Sequence, residues 1–412
     1  MATRIALLAA AARVAAAPPA VPPWDAALRV VPPALAARFG AACLDGTPPA
    51  YYFRPAATPT AARKFKLHIM GGGWCTTPDE CLARSLLPVV GSSAALPGAL
   101  SAVTPGGWPT SAAFYGLMDR NATSAFSDFA FAWLIYCDGS SFTSARDEPL
   151  LVNGTRVHMR GHANLDAILA ALDAEAGFFS AAEVVLSGTS AGGLATYLHA
   201  SYVKSLLTRL GARLWAVPDA GFFLDSGLAS NASDHAYAAT LAPMWALFNG
   251  TLGPAGAGAR CLAAAAPGAA ARCFLAQVMY PFITDVDGIF VINSLVDPSQ
   301  LRLCFGLSCL LGSTCTPAEE AAIQGYALAL SAAIQAAAAR FGDRDAFFLT
   351  TCAHHEQSCR YEDWYGVRIG GSSPNASFAS FAAGAGARAS RVDVPWPGDA
   401  SCWDSAALHG GC

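Results

Sequence analysis

Short apolar runs and longer helix-like stretches alternate along this chain. The runs at 65–70, 129–136, 184–187, 214–217, 290–293 and 346–350 read as buried strands. Between them lie stretches with helical patterning, clearest at 164–175, 193–210 and 317–340. Strands that alternate with helices predict an α/β fold with a mainly parallel central sheet flanked by helices. No repeat of fixed period interrupts the alternation. Alanine- and glycine-rich tracts at 255–271 and 378–389 read as surface insertions or irregular helices with no chemistry of their own.

The first forty residues have a different texture. Arg4 precedes an alanine-rich apolar run at 5–17 that ends just before Pro18-Pro19, which predicts a signal peptide over 1–17. Arg13 inside the run also suits a transit peptide or an alanine-rich leader. A Pro-rich segment at 18–41 is expected to run extended over the surface, and a single α/β-hydrolase-like domain is expected over 42–412.

Composition narrows the class. The chain has 412 residues, 54% of them hydrophobic and 13% charged, enough to bury one large core. Much of the apolar share is alanine, and Pro, Arg, Asp or Gly break every apolar stretch before the ~18 residues that a spanning helix needs. No integral membrane segment is therefore expected once the leader is removed. The net charge of −4 offers no basic face, so nucleic acid is not an expected partner. Five of the seven asparagines stand in Asn-x-Ser/Thr sequons (Asn121, Asn153, Asn231, Asn249, Asn375), as in a glycosylated, secreted protein.

The 13 cysteines point to the same compartment. Their spacings lack the paired Cys-x2-Cys or His-x3-5-His elements of a structural zinc site, which favours a disulfide-stabilised fold. Cys75 with Cys81, Cys261 with Cys273, Cys304 with Cys309 or Cys315, and Cys352 with Cys359 are the expected local bridges. An odd count leaves one cysteine without a partner in the chain.

The chemistry is concentrated at Gly188-Thr189-Ser190-Ala191-Gly192. This fits the Gly-x-Ser-x-Gly turn in which a strained strand-to-helix corner presents a serine nucleophile. The strand at 184–187 and the helix from Leu194 supply the required flanks. A glycine-rich turn holding an ordinary serine would carry the same five residues, so the partners decide. Serine needs a base, an acid that orients the base, and donors for the oxyanion, in the chain order Ser, Asp or Glu, His. His354 and His355 both follow the strand at 346–350, and Asp297 follows the strand at 290–293. Asp225, Asp285 and Asp287 compete with Asp297. Gly71-Gly72-Gly73-Trp74-Cys75 follows the first strand and suits an oxyanion loop, with the Ala191 N–H as a second donor. Such acyl transfer requires no metal or cofactor. Asp138 precedes Ser190, breaks that order and reads as architectural. His199 reads as structural, and His158 and His162 as surface or capping groups.

At these residues the chain resembles the pectin acetylesterase family, which includes the plant pectin acetylesterases and the animal Notum carboxylesterase. The resemblance runs through Cys43-Leu44-Asp45-Gly46-Thr47-Pro48-Pro49-Ala50-Tyr51, the glycine triplet, Tyr136-Cys137-Asp138-Gly139-Ser140-Ser141-Phe142, Arg160-Gly161, the Ser190 turn, the stretch 219–225 and the stretch 293–300. It implies Ser190 as nucleophile, Asp297 as acid, His355 rather than His354 as base, and Gly72, Gly73 and Ala191 as oxyanion donors. It implies acetylated polysaccharide, pectin first, as substrate, and an extracellular or cell-wall location. Met70 stands where the family usually has Glu, Thr189 where it has Cys, and Glu356 where plant members have Cys. His355-Glu356 is closer to the Notum-like pattern, so removal of a long acyl chain from a secreted protein is the alternative. A non-catalytic extracellular binding protein on the same scaffold is the reading from another class.

Overall fold

Phe65, Leu67 and Ile69 alternate with Lys66 and His68, a pattern that predicts a strand with one wet face, yet both faces are buried. The reason is that the Lys66 ammonium and one nitrogen of His68 find partners. Lys66 Nζ donates to Leu117 O (3.0 Å) and Asp119 O (2.8 Å), and His68 Nδ1 lies 2.9 Å from Ser187 Oγ. Burial pulls Lys66 down to about 7 and His68 to about 3, so this histidine is neutral at ordinary pH.

The computed structural model describes residues 25–94, 111–225, 236–307, 309–311 and 314–396. The leader expected over 1–17, the Asn231 sequon and the residues from 397 lie outside them. The strands are β1 (Asp25–Val30), β2 (Ala50–Arg54), β3 (Lys64–Ile69), β4 (Ser111–Ala113), β5 (Ala130–Leu134), β6 (Leu150–Val152), β7 (Thr155–Val157), β8 (Glu183–Thr189), β9 (Arg213–Asp219), β10 (Gly288–Ser294), β11 (Ala346–Thr350) and β12 (Arg391–Val392). β6 and β7 form a separate hairpin. The rest make one sheet in the order β12-β11-β10-β9-β8-β3-β5-β2-β1-β4. From β12 to β5 every pair is parallel, and β2, β1 and β4 continue it antiparallel. This is the expected α/β-hydrolase-like arrangement.

The strand order places the site. From β3 the chain crosses to β5 on one side and returns to β8 on the other, so the connections leaving β3 and β8 diverge. A crevice opens at such a switch point, outside the carboxyl ends of the strands. The glycine triplet leaves β3 there, and Ser190 leaves β8.

Helices close both faces of the sheet. The helix Pro317–Ala339 begins with Thr316 and Glu319 in a reciprocal capping box and Pro317 at its first position. It is long and apolar enough to cross a membrane by length and composition. Ile323, Tyr326, Ala327, Leu330, Ile334 and Ala338 nevertheless recur at helical spacing and are buried in the core of the protein.

Two expectations are corrected. From Asp25 onward the segment 18–41 does not run free over the surface. β1 pairs with β2 (Val30 opposite Ala50), and Pro32-Pro33 end the strand and start the helix Pro33–Phe39. The cysteines also pair differently. Cys75–Cys81 and Cys261–Cys273 form as expected, but Cys309 joins Cys315 rather than Cys304. Cys352 and Cys359 are both disulfide-bonded. Cys43–Cys137 closes across 94 residues, a distance no local spacing reveals.

Candidate active site

Ser190 sits between β8 and the helix Ala191–Leu206 with φ 56° and ψ −121°, a conformation that costs a residue with a Cβ ~1–3 kcal/mol. Its neighbours hold it there. Ser190 N–H donates to Asp219 O (2.9 Å), and Leu194 N–H donates to Ser190 O (2.9 Å). Such a turn is possible only where backbones pass closely. A Cβ on Gly192 would run into the carbonyls of Ile69 and Met70, and one on Gly193 into that of Asp219. Gly192→Ala is expected to destabilise the fold by ~1–3 kcal/mol, read as a lower urea midpoint at unchanged slope.

The structure brings Ser190, His355 and Asp297 together from three strand ends. His355 Nε2 lies 2.7 Å from Ser190 Oγ, and His355 Nδ1 lies 2.7 Å and 2.9 Å from the Asp297 oxygens. Asp297 is fully buried at the N-cap of the helix Pro298–Phe305, where its Oδ1 also accepts from Ser299 N–H (2.8 Å) and Gln300 N–H (3.1 Å). One carboxylate thus caps a helix and orients an imidazole. Burial pulls the His355 basicity down, but Asp297 opposes this through its charge and its hydrogen bond, and Glu356 and Asp219 add to it. The net effect raises His355 to about 9.

The competing residues are engaged elsewhere. His354 turns toward Asp363, Nδ1 to Oδ1 3.0 Å. Asp285 accepts from Ser201 Oγ (2.6 Å and 2.7 Å) and pairs with Arg260 (3.2 Å). Asp287 pairs with Lys204 and accepts from Leu214 N–H (2.7 Å). Of Asp225, the main-chain N–H is bonded to Gln277 Oε1 (3.0 Å), while the carboxylate that meets His355 is that of Asp297.

The glycine triplet lies against the serine turn. A Cβ on Gly71 would stand 3.1 Å from Ser190 Cβ and 2.9 Å from Glu356 Oε1. Gly72 and Gly73 have φ of 136° and 66°, which glycine adopts without strain. Both carbonyls are pinned: Gly72 O accepts from Arg84 Nη1 (2.8 Å) and Gly73 O from the Tyr136 hydroxyl (2.8 Å). The N–H groups of Gly72, Gly73 and Ala191 have no protein acceptor among the described residues.

The 136–142 segment braces this loop. Ser141 N–H donates to the Tyr136 hydroxyl (2.9 Å), Ser141 Oγ donates to Ala191 O (2.8 Å), and Trp74 Nε1 donates to Ser141 Oγ (2.8 Å). Asp138 stands outside the relay. Its Oδ2 accepts from the N–H groups of Ser140 (3.1 Å) and Phe142 (3.0 Å) and shapes the turn. His199 is buried, with Nε2 2.9 Å from Ser141 O. His158 is half-buried against Gly46. His162, expected as a surface or capping group, packs against Tyr202 and His199 beside the loop at Gly253.

Four contributors carry no site signature in the sequence pattern. Arg84 and Tyr136 act on glycine carbonyls, and carbonyl partners leave no trace in residue type. Glu356 and Asp219 crowd the relay. The available signal for Asp219 is its place at the carboxyl end of a strand, the end where sites form.

The pectinacetylesterase family model matches residues 26–403. Pectin acetylesterase 5 of Arabidopsis thaliana is 34% identical over 188 residues, 45% of this chain and 40% of that protein, so the chain spans less than half of that relative. Pectin acetylesterase 11 of the same plant is 29% identical over 341 residues, 79% of each. The fold is similar to that of the Wnt deacylase Notum from Drosophila, with a TM-score of 0.71 at 20% identity over 90% of this chain and 97% of that one. With the family model matched from the first strand to beyond the last, this chain belongs to the pectinacetylesterase family.

Proposed function

We propose that the protein is a secreted serine carboxylesterase that removes O-acetyl groups from an extracellular or cell-wall polysaccharide, pectin first. The observation that carries this is the continuous relay Ser190 Oγ, His355 Nε2, His355 Nδ1, Asp297, drawn together beyond the carboxyl ends of β8, β11 and β10. Membership of the pectinacetylesterase family supports the ester and the sugar. The disulfides and the exposed sequons Asn153 and Asn249 support secretion and glycosylation.

In this mechanism His355 takes the Ser190 proton as the oxygen attacks the ester carbonyl. The oxyanion settles on the N–H groups of Gly72, Gly73 and Ala191. His355 then gives the proton to the sugar oxygen as it leaves, and the acetyl group stays on Ser190. Water, deprotonated by His355, releases acetate and restores the serine. Asp297 holds Nδ1–H and balances the imidazolium charge.

Acetate release from acetylated pectin and acetylated xylan, beside hydrolysis of a long-chain acyl ester, tests the reading. Rapid acetate release from pectin with little long-chain turnover is the expected result. Turnover of the long-chain ester alone would reverse the substrate assignment, and no turnover of any ester would sink the enzyme.

The oxyanion loop has its own test. Tyr136→Phe removes the bond to Gly73 O and the acceptor of the Ser141 N–H, both of which brace the glycine loop. It is expected to lower kcat about 10-fold, less than the ~10²–10³ for losing a donor outright, with KM and the pH profile unchanged.

A further inference from the structure

We propose that Asp219 is a positioning residue that holds the Ser190 turn and the His355 loop in register with each other. The proposal rests on Ser190 and His355 being nucleophile and base. Asp219 ends β9 directly beside Thr189 of β8. Its main-chain carbonyl accepts from Ser190 N–H (2.9 Å), and its side-chain Oδ2 accepts from the N–H groups of Gln357 (2.8 Å) and Ser358 (2.6 Å). One residue therefore grips the nucleophile's turn through its backbone and the base's loop through its side chain. The next residue, Ala220, has φ 50° and donates its N–H to Ile292 O (2.9 Å) in β10, the strand that leads to Asp297. All three arms of the relay meet around this corner.

A neutral acceptor would hold two N–H groups at less cost, because burying a carboxylate is expensive. Asp219 is fully buried, and what favours its ionised form is the Gln357 and Ser358 N–H groups and the Ser358 side chain, with no cation among them. The charge itself needs a reason. The titratable groups that act on it are His355, with Asp297 behind it, and Glu356. Burial pushes the Asp219 carboxyl up to about 7, and Glu356 adds to this. In the range where His355 loses its proton, Asp219 is ionised and favours the imidazolium that forms during acyl transfer. The same residue is thus a clamp and a charge.

Asp219→Asn keeps shape and an acceptor but removes the charge, whereas Asp219→Ala removes both. Both are to be assayed on p-nitrophenyl acetate across pH, together with the rate at which a fluorophosphonate labels Ser190. For Asp219→Asn, kcat and the labelling rate are expected to fall about 10-fold with KM little changed. The acid limb of kcat/KM is expected to move to lower pH by roughly half a unit. For Asp219→Ala, kcat is expected to fall about 10²-fold. Wild-type kcat with an unmoved limb in Asp219→Asn overturns the proposal, and so does a loss confined to thermal stability. If Asp219→Ala does not fold, the Asn variant decides alone. Ser190→Ala separates the two levels: its retaining activity would fail the nucleophile assignment whatever Asp219 does, whereas an inactive Ser190→Ala beside an unaltered Asp219→Asn fails only the clamp.

Discussion

Replacing Ser190 with alanine is expected to lower kcat by at least ~10⁴-fold on acetylated pectin and on p-nitrophenyl acetate, with the fold intact. The loss is large because the hydroxyl that stands on His355 Nε2, at 2.7 Å, is that of Ser190. The fold survives because alanine at φ 56° carries the same backbone strain as serine. What holds the turn is the backbone: Ser190 N–H on Asp219 O and the clearance left by Gly188, Gly192 and Gly193. The oxyanion donors also survive, so a residual rate above water is expected in the variant. Hydrolysis rates with thermal and urea midpoints check both halves. Near-wild-type turnover in Ser190→Ala would remove the nucleophile from the mechanism, whereas a collapsed midpoint would show that the hydroxyl has a structural duty.

The central strands are legible in the sequence because their apolar runs are long and dense: β11 matches the predicted 346–350, and β8 extends the predicted 184–187 by a residue or two at each end. β1 is not, since Asp25–Val30 mixes Asp, Ala and Arg inside a proline-rich stretch and becomes a strand only through its pairing with β2. Among site residues, Ser190 carries a local signature, because a strained turn demands glycines nearby. The choice between His354 and His355 has none in spacing alone. Adjacent side chains leave the backbone in different directions, and tertiary structure sends one to Asp363 and the other to Asp297. Asp297 outranks Asp285 and Asp287 for a similar reason. Those two satisfy Ser201, Arg260 and Lys204 through contacts that span 25 to 84 residues. Arg84, Tyr136 and Asp219 act with their side chains on main-chain atoms of their partners, which every residue type shares.

Asp297→Asn is expected to cut kcat by about 10⁴-fold and to move the acid limb of kcat/KM to lower pH. The base form of His355 is the neutral one, so activity falls as pH drops through the His355 pKa of the free enzyme. In the native protein that pKa is raised from its usual 6.5 to about 9, so the limb lies on the alkaline side of an ordinary histidine. Burial opposes the rise, and the Asp297 charge does most to produce it. With that carboxylate replaced by an amide, burial remains and the charge does not, so the limb should descend toward or below 6.5. A mild gain in the fraction of neutral base cannot rescue the rate. The amide no longer secures the tautomer with the proton on Nδ1, and it does not balance the imidazolium formed at the transition state. The variant should also be less stable, because Asp297 Oδ1 caps the helix Pro298–Phe305 through Ser299 and Gln300. Asparagine retains much of that cap, which limits the structural loss and makes the kinetic effect readable. Rate profiles against pH for the two proteins check both signs. An unmoved limb would assign the raised His355 to Glu356 and Asp219, and a wild-type plateau would leave Asp297 a helix cap and no more.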